Sequence, residues 1–118
     1  MTQLSAKPQG VWAWILQRIT AVLLVFFLGA HLTVLHYVPE NMNINFLGVA
    51  ARFKGLLYVI IDSGLLAVAL YHSLNGIRNV LFDFIGYAGK RRALTIVLVL
   101  VGLVYLIWGA YALTFFVK

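Results

Sequence analysis

Apolar residues in this chain do not alternate with polar ones; they run together in three long blocks separated by short polar interruptions. The first block extends from about Val11 to Tyr37, with the charge of Arg18 near its beginning and no polar side chain from Ala21 to Ala30. The second runs from about Gly55 to Phe82 and has Asp62, His72, Asn75, Arg78 and Asn79 embedded in it. The third runs from Ala93 to Val117 with no ionisable group except tyrosine hydroxyls. At a rise of roughly 1.5 Å per residue against a hydrocarbon core of ~30 Å, each block is long enough to cross a bilayer as a helix. The first is too long and starts too late for a signal peptide, and no small-residue cleavage site follows it, so it is expected to remain as a span. Between the first two blocks, Pro39, Glu40, Asn41, Asn43 and Asn45 predict a turn within Val38 to Lys54, followed by a short interfacial helix. Between the second and third, Asp83 to Arg92 reads as a loop built on Gly86 and Gly89. The expected fold is all-α: three transmembrane helices (about 11–37, 55–82 and 93–117) in a single domain over residues 1–118.

Composition turns that pattern into an exclusion. In 118 residues, 64% are hydrophobic and 10% charged, with a mean hydropathy of +0.99. So small a chain has no private core large enough to hide that surface, so it must face lipid or other subunits. The absence of cysteine removes disulfides, thiolate metal sites and cysteine nucleophiles, leaving histidine to carry any metal chemistry. A net charge of +6 would suggest nucleic acid in a soluble protein, but Lys90, Arg91 and Arg92 sit together between apolar blocks, where they control topology. No nucleic-acid partner is expected. Lys7, Arg18, Lys90, Arg91 and Arg92 fall on one side of the membrane, against Arg52, Lys54 and Lys118 on the other, which favours a cytoplasmic amino terminus. Trp12, Trp14, Trp108 and Tyr111 are placed to anchor the interfaces.

A charge at the centre of a span costs on the order of 2.5–3.5 kcal/mol on insertion scales, so every polar residue there requires an account. At 100° per residue, His72, Asn75, Gly76, Asn79 and Asp83 form one stripe on the second span, which must meet protein or a cofactor. Gly76, one turn beyond His72, leaves space for a flat group such as a haem ligated by His72. The competing reading is a histidine bonded to a neighbouring helix, with Gly76 allowing that helix to approach. On the first span Gln17, Thr20, Leu24, Phe27 and Leu28 share a face with His31, whereas His36 is rotated away and reads as an interfacial side chain. Measured from Trp12 and Asp83, His31 lies ~28 Å deep and His72 ~16 Å deep, too far apart to hold one iron. If both are ligands, two stacked haems follow, each completed by a histidine from another chain; one shared haem with one structural histidine is the other arrangement. Arg18, Gln17, Thr20 and Asp83 share the cytoplasmic boundary and suggest a wet pocket for a headgroup or proton relay, or else an Arg18–Asp83 ion pair that fixes helix register. Arg78 points about 120° from His72 but has the reach to meet a haem propionate or a lipid phosphate. Asp62 is expected merely to reach the outer interface.

The constellation resembles the hydrophobic membrane-anchor (cytochrome b) subunits of succinate dehydrogenase, that is succinate:quinone oxidoreductase or complex II, and of the related fumarate reductases. The stretch from His72 through Gly76 to Asp83 is similar to the family's haem-ligand His, Gly four residues on and Asp eleven residues on. Gln17-Arg18-Ile19-Thr20 resembles the family's Arg-x-Ser/Thr segment opening the first span. Where the family places a quinone-bonding Tyr after the Asp, this chain has Phe84, which has no hydroxyl; Tyr87 is the substitute candidate, or quinone contacts lie on the partners. Gly29-Ala30-His31-Leu32 looks like the two-haem type. The resemblance implies haem b bound through His72 and His31 with Gly76 and Arg78 beside it, and a quinone site drawing on Asp83, Arg18, Thr20 and Tyr87. It also implies a multi-subunit transmembrane bundle in a bacterial or archaeal cell membrane. The partners would be a second anchor subunit, an iron–sulfur subunit, a flavoprotein subunit and membrane lipid, with no dicarboxylate chemistry on this chain. The reading from a different class is a small three-helix transporter or assembly subunit without a redox cofactor.

Overall fold

The computed structural model of this chain describes residues 10–37, 45–53 and 55–117, and every regular element within them is an α-helix. Helix α1 spans Val11–Tyr37, α2 Phe46–Phe53, α3 Leu56–Phe84 and α4 Ala88–Val117. Helices α1, α3 and α4 contain segments with mean hydropathies of 2.0, 1.6 and 2.5, long and apolar enough to cross a membrane. The protein is thus an integral membrane protein, as the three apolar blocks predict. The short α2 falls where an interfacial helix is expected, and Asn45 caps it: its Oδ1 accepts the Gly48 N–H at 2.8 Å.

The three spans pack side by side, each antiparallel to the next, with α3 in the middle. Without a hydrophobic force to drive helices together in lipid, close approach depends on small residues and polar links. Glycines supply the first. A Cβ at Gly64 would lie 2.7 Å from the Phe27 ring of α1, and one at Gly102 2.7 Å from Leu74 Cδ1. One at Gly109 would overlap Leu66. Gly102 and Gly109 are two turns apart on α4, so Leu74 and Leu66 of α3 seat in successive gaps along one stripe.

Burial is inverted relative to a soluble bundle. Among the described residues Phe82 is the one buried hydrophobic side chain, while Thr20 and Asn75 are the buried polar ones. The apolar residues of all three spans point outward: Val25, Phe26, Ile107 and Trp108 are each more than two-thirds exposed.

The link between α3 and α4 is shorter than the expected loop. Helix α3 continues through Phe84 and α4 begins at Ala88, so Lys90, Arg91, Arg92 and Gly89 are helical and the turn is Ile85–Tyr87. Arg91 explains the tightness. Its Nε donates to Ile85 O at 2.6 Å and its Nη2 to Phe82 O at 2.7 Å, satisfying carbonyls left open at the end of α3. Its guanidinium and that of Arg78 also lie 5.1 Å and 4.4 Å from the Phe82 ring centroid, within cation–π distance.

Candidate functional site

Polar side chains gather at two levels of the seam between α1 and α3. At the first, Asn75 Nδ2 donates to Gln17 Oε1 at 2.7 Å and to Ala13 O at 3.2 Å. That bond fixes the Gln17 amide with its nitrogen toward His72, where it lies 3.2 Å from the His72 carbonyl oxygen and 3.3 Å from both ring nitrogens. A donor in the imidazole plane equidistant from both nitrogens would overlap the Cε1–H between them, so the amide lies over the ring face. The in-plane lone pair is left alone.

The contacts of Thr20 favour one tautomer of His72. Its one hydroxyl hydrogen is committed to the backbone, with Leu16 O at 2.7 Å and Gln17 O at 3.2 Å. The 3.1 Å contact between Thr20 Oγ1 and His72 Nδ1 is therefore a bond donated by Nδ1–H. This tautomer leaves the Nε2 lone pair available for a metal, the usual arrangement of a ligating histidine held from behind. The stripe predicted on α3 thus meets α1 through His72, Asn75 and Gly76. A Cβ at Gly76 would find only Gln17 Nε2, at 3.4 Å, so the glycine serves close helix approach and the rest of its face stays open.

The second level lies toward the other end of the seam. His31 Nδ1–H donates to Asp62 Oδ1 at 2.7 Å, the one ion pair among the described residues. Both side chains are part-exposed, 33% and 28%, and His31 Nε2 has no hydrogen-bond partner among the described residues. Ten residues of α3 separate Asp62 from His72, about 15 Å along the axis, so the two imidazoles occupy different depths. Asp62 was expected only to reach the interface; instead it turns inward onto His31.

The expected pocket of Arg18, Gln17, Thr20 and Asp83 does not assemble. Gln17 and Thr20 are occupied at His72, and Thr20 is only 7% exposed. With Thr20 level with His72, Arg18 falls level with position 74, nine residues or about 13 Å short of Asp83. No Arg18–Asp83 ion pair forms among the described residues; Arg18 stacks on Trp14 at 4.0 Å from its ring centroid. Asp83 and Tyr87 are both exposed at that end of the bundle. Arg78 turns to the opposite side of α3 from His72, where its Nε donates to Thr95 Oγ1 at 3.1 Å. It borders an apolar groove of about 420 Å³ between α3 and α4, also lined by Leu74, Leu98, Gly102 and Leu106, which contains neither histidine. The side chain of His36 lies outside the described residues, as do Lys7, Lys54 and Lys118.

Among the described residues no three His, Asp or Glu side chains cluster, and His31 and His72 stand as single imidazoles. Haem iron takes one axial nitrogen from each side, and an imidazole at the lip of a helix seam with its Nδ1–H held and its Nε2 lone pair unclaimed fits that demand. Both histidines meet it.

Residues 2–112 match the family model described as succinate dehydrogenase/fumarate reductase transmembrane subunit. The chain is 33% identical over 101 residues to the succinate dehydrogenase 2 membrane subunit of Mycobacterium tuberculosis, covering 83% of this chain and 70% of that one. It is 32% identical over 97 residues to a succinate dehydrogenase hydrophobic membrane anchor subunit of Halobacterium salinarum, covering 80% and 74%. With the corresponding subunit of Archaeoglobus fulgidus the identity is 27% over 101 residues, covering 86% of each chain.

Proposed function

We infer a haem-carrying role from one premise: this chain belongs to the succinate dehydrogenase/fumarate reductase transmembrane subunit family and is a hydrophobic membrane-anchor subunit of succinate dehydrogenase. In this reading His72 would hold a haem b shared with a second anchor subunit, and His31 would hold another nearer the opposite face. A haem bound there would supply one-electron transfer. The chain's own contribution is placement. Thr20 holds His72 Nδ1–H, Gln17 covers one face of the ring, and Asn75 locks Gln17, so Nε2 is aimed with little freedom. The observation that carries this reading is the 3.1 Å contact of Thr20 Oγ1 with His72 Nδ1, made by a hydroxyl whose shorter contact, 2.7 Å, is with Leu16 O.

The iron–sulfur and flavoprotein subunits dock at the end that bears Asp83, Tyr87 and Lys90, and that end is cytoplasmic. Electrons pass from them toward membrane quinone. Asp83 and Tyr87 are the residues this chain can present to a quinone headgroup at that end; Arg18, stacked on Trp14 about 13 Å away, is not among them, and Phe84, with no hydroxyl, contributes only contact area. Thr20 drops out of that set because it is buried against His72.

The experiment is a reduced-minus-oxidised spectrum and haem stoichiometry of the purified complex. Two b-type haems per complex are expected, with His72→Ala and His31→Ala each removing a different one. A complex with no b-type bands would instead be an anchor that assembles without a redox cofactor.

A further inference from the structure

Asp62 lies in an apolar part of α3, six residues past its start, where a carboxylate is costly to insert. Its partner among the described residues is His31, at 2.7 Å, and the aromatic ring of Phe27 packs on Gly64 just beside it. If the pair existed only to set the register of α1 against α3, an amide or hydroxyl would serve at lower cost, as Gln17, Asn75 and Thr20 do at the other level. A carboxylate does something those groups do not. As an anionic acceptor it draws the Nδ1 proton toward itself and pushes electron density through the ring to Nε2, making the imidazole a stronger donor. The geometry leaves that Nε2 at the part-exposed lip of the seam, facing away from Asp62.

We propose that Asp62 is a positioning residue that tunes the second haem: it fixes the His31 tautomer and strengthens its nitrogen as an axial ligand, stabilising the ferric state. The proposal rests on the reading of His31 as a haem ligand and adds a residue that no motif of this sequence points to. Thr20, a neutral acceptor, holds His72 without that electronic effect.

The test is a redox titration of the whole complex followed in the haem bands, on wild type, Asp62→Asn and Asp62→Leu, with His31→Ala identifying the component concerned. In Asp62→Asn the amide oxygen keeps the hydrogen bond but not the charge. That component should stay at wild-type occupancy with its midpoint potential shifted upward, while the component dependent on His72 stays fixed. In Asp62→Leu its occupancy should fall. An unchanged potential in Asp62→Asn would reduce Asp62 to a helix clamp and overturn the proposal while leaving His31 as ligand. A wild-type complex with no component dependent on His31 overturns both. Should Asp62→Asn not assemble, redox-difference infrared spectra decide: carboxylate stretching bands must respond to reduction of that haem and change frequency in Asp62→Glu. Absence of any such band refutes the assignment.

Discussion

Thr20 serves two partners with one hydroxyl, giving its proton to the α1 backbone and its lone pair to His72. Thr20→Val preserves shape and removes both bonds. A neutral hydrogen bond contributes about 1 kcal/mol net, so haem held through His72 should be retained about fivefold less tightly. Haem loss to an excess of haem-free acceptor protein measures this, and Thr20→Ser should restore retention; equal retention in Thr20→Val would mean that the ring is held by packing alone. His72 and its stripe were legible because polar residues at helical spacing inside an apolar span have few uses. Asp62 was misjudged, and the reason is register. Its pairing with His31 depends on how two antiparallel helices align, which the periodicity of neither helix gives by itself. The information was nonetheless present in one contact. Once Thr20 faces His72, eleven residues along α1 lead to His31 and ten back along α3 lead to Asp62, at the same depth. The imagined Arg18–Asp83 pair failed by the same measure.

At the level of helices, length and apolarity fixed the three spans, and the first matches its expected bounds of Val11 to Tyr37. The boundary between α3 and α4 did not read correctly, because three adjacent cations and two glycines resemble a loop. Lys and Arg are good helix formers, and Arg91 finds its acceptors across the turn. Helix contacts rest on glycines of unequal tolerance. At Gly64 an added methyl meets the rigid Phe27 ring, whereas at Gly109 it meets the end of the flexible Leu66 side chain. Gly64→Ala should cost ~1–3 kcal/mol of overpacking, less a propensity gain of up to about 1 kcal/mol. Gly109→Ala should come out near neutral, the rotamer change of Leu66 offsetting the same gain. Thermal unfolding of the detergent-solubilised complex will rank the two; equal midpoints would show that Phe27 yields as readily as Leu66.

The whole molecule has polar links inside and an apolar exterior, so its natural surroundings are lipid and other subunits. Its orientation is testable because the sequence contains no cysteine to confuse labelling. Gly10→Cys and Gly86→Cys lie at one end of the bundle, and Asn45→Cys begins α2 near the other, so the chain expressed without its peripheral subunits leaves all three open to a reagent. A membrane-impermeant maleimide should label the first two in inside-out vesicles and the third in intact cells. The reverse pattern would move the catalytic subunits to the far end.

Both imidazole levels are built from α1 and α3, and among the described residues no atom of α4 is hydrogen-bonded to either histidine. Helix α4 behaves as a buttress: it leans on the outer flank of α3 through leucine knobs and is tied at its foot by Arg91. Substitutions along its exposed flank should therefore leave both histidine levels untouched, so this third of the protein can be reshaped for a new lipid or neighbour without disturbing the seam between α1 and α3.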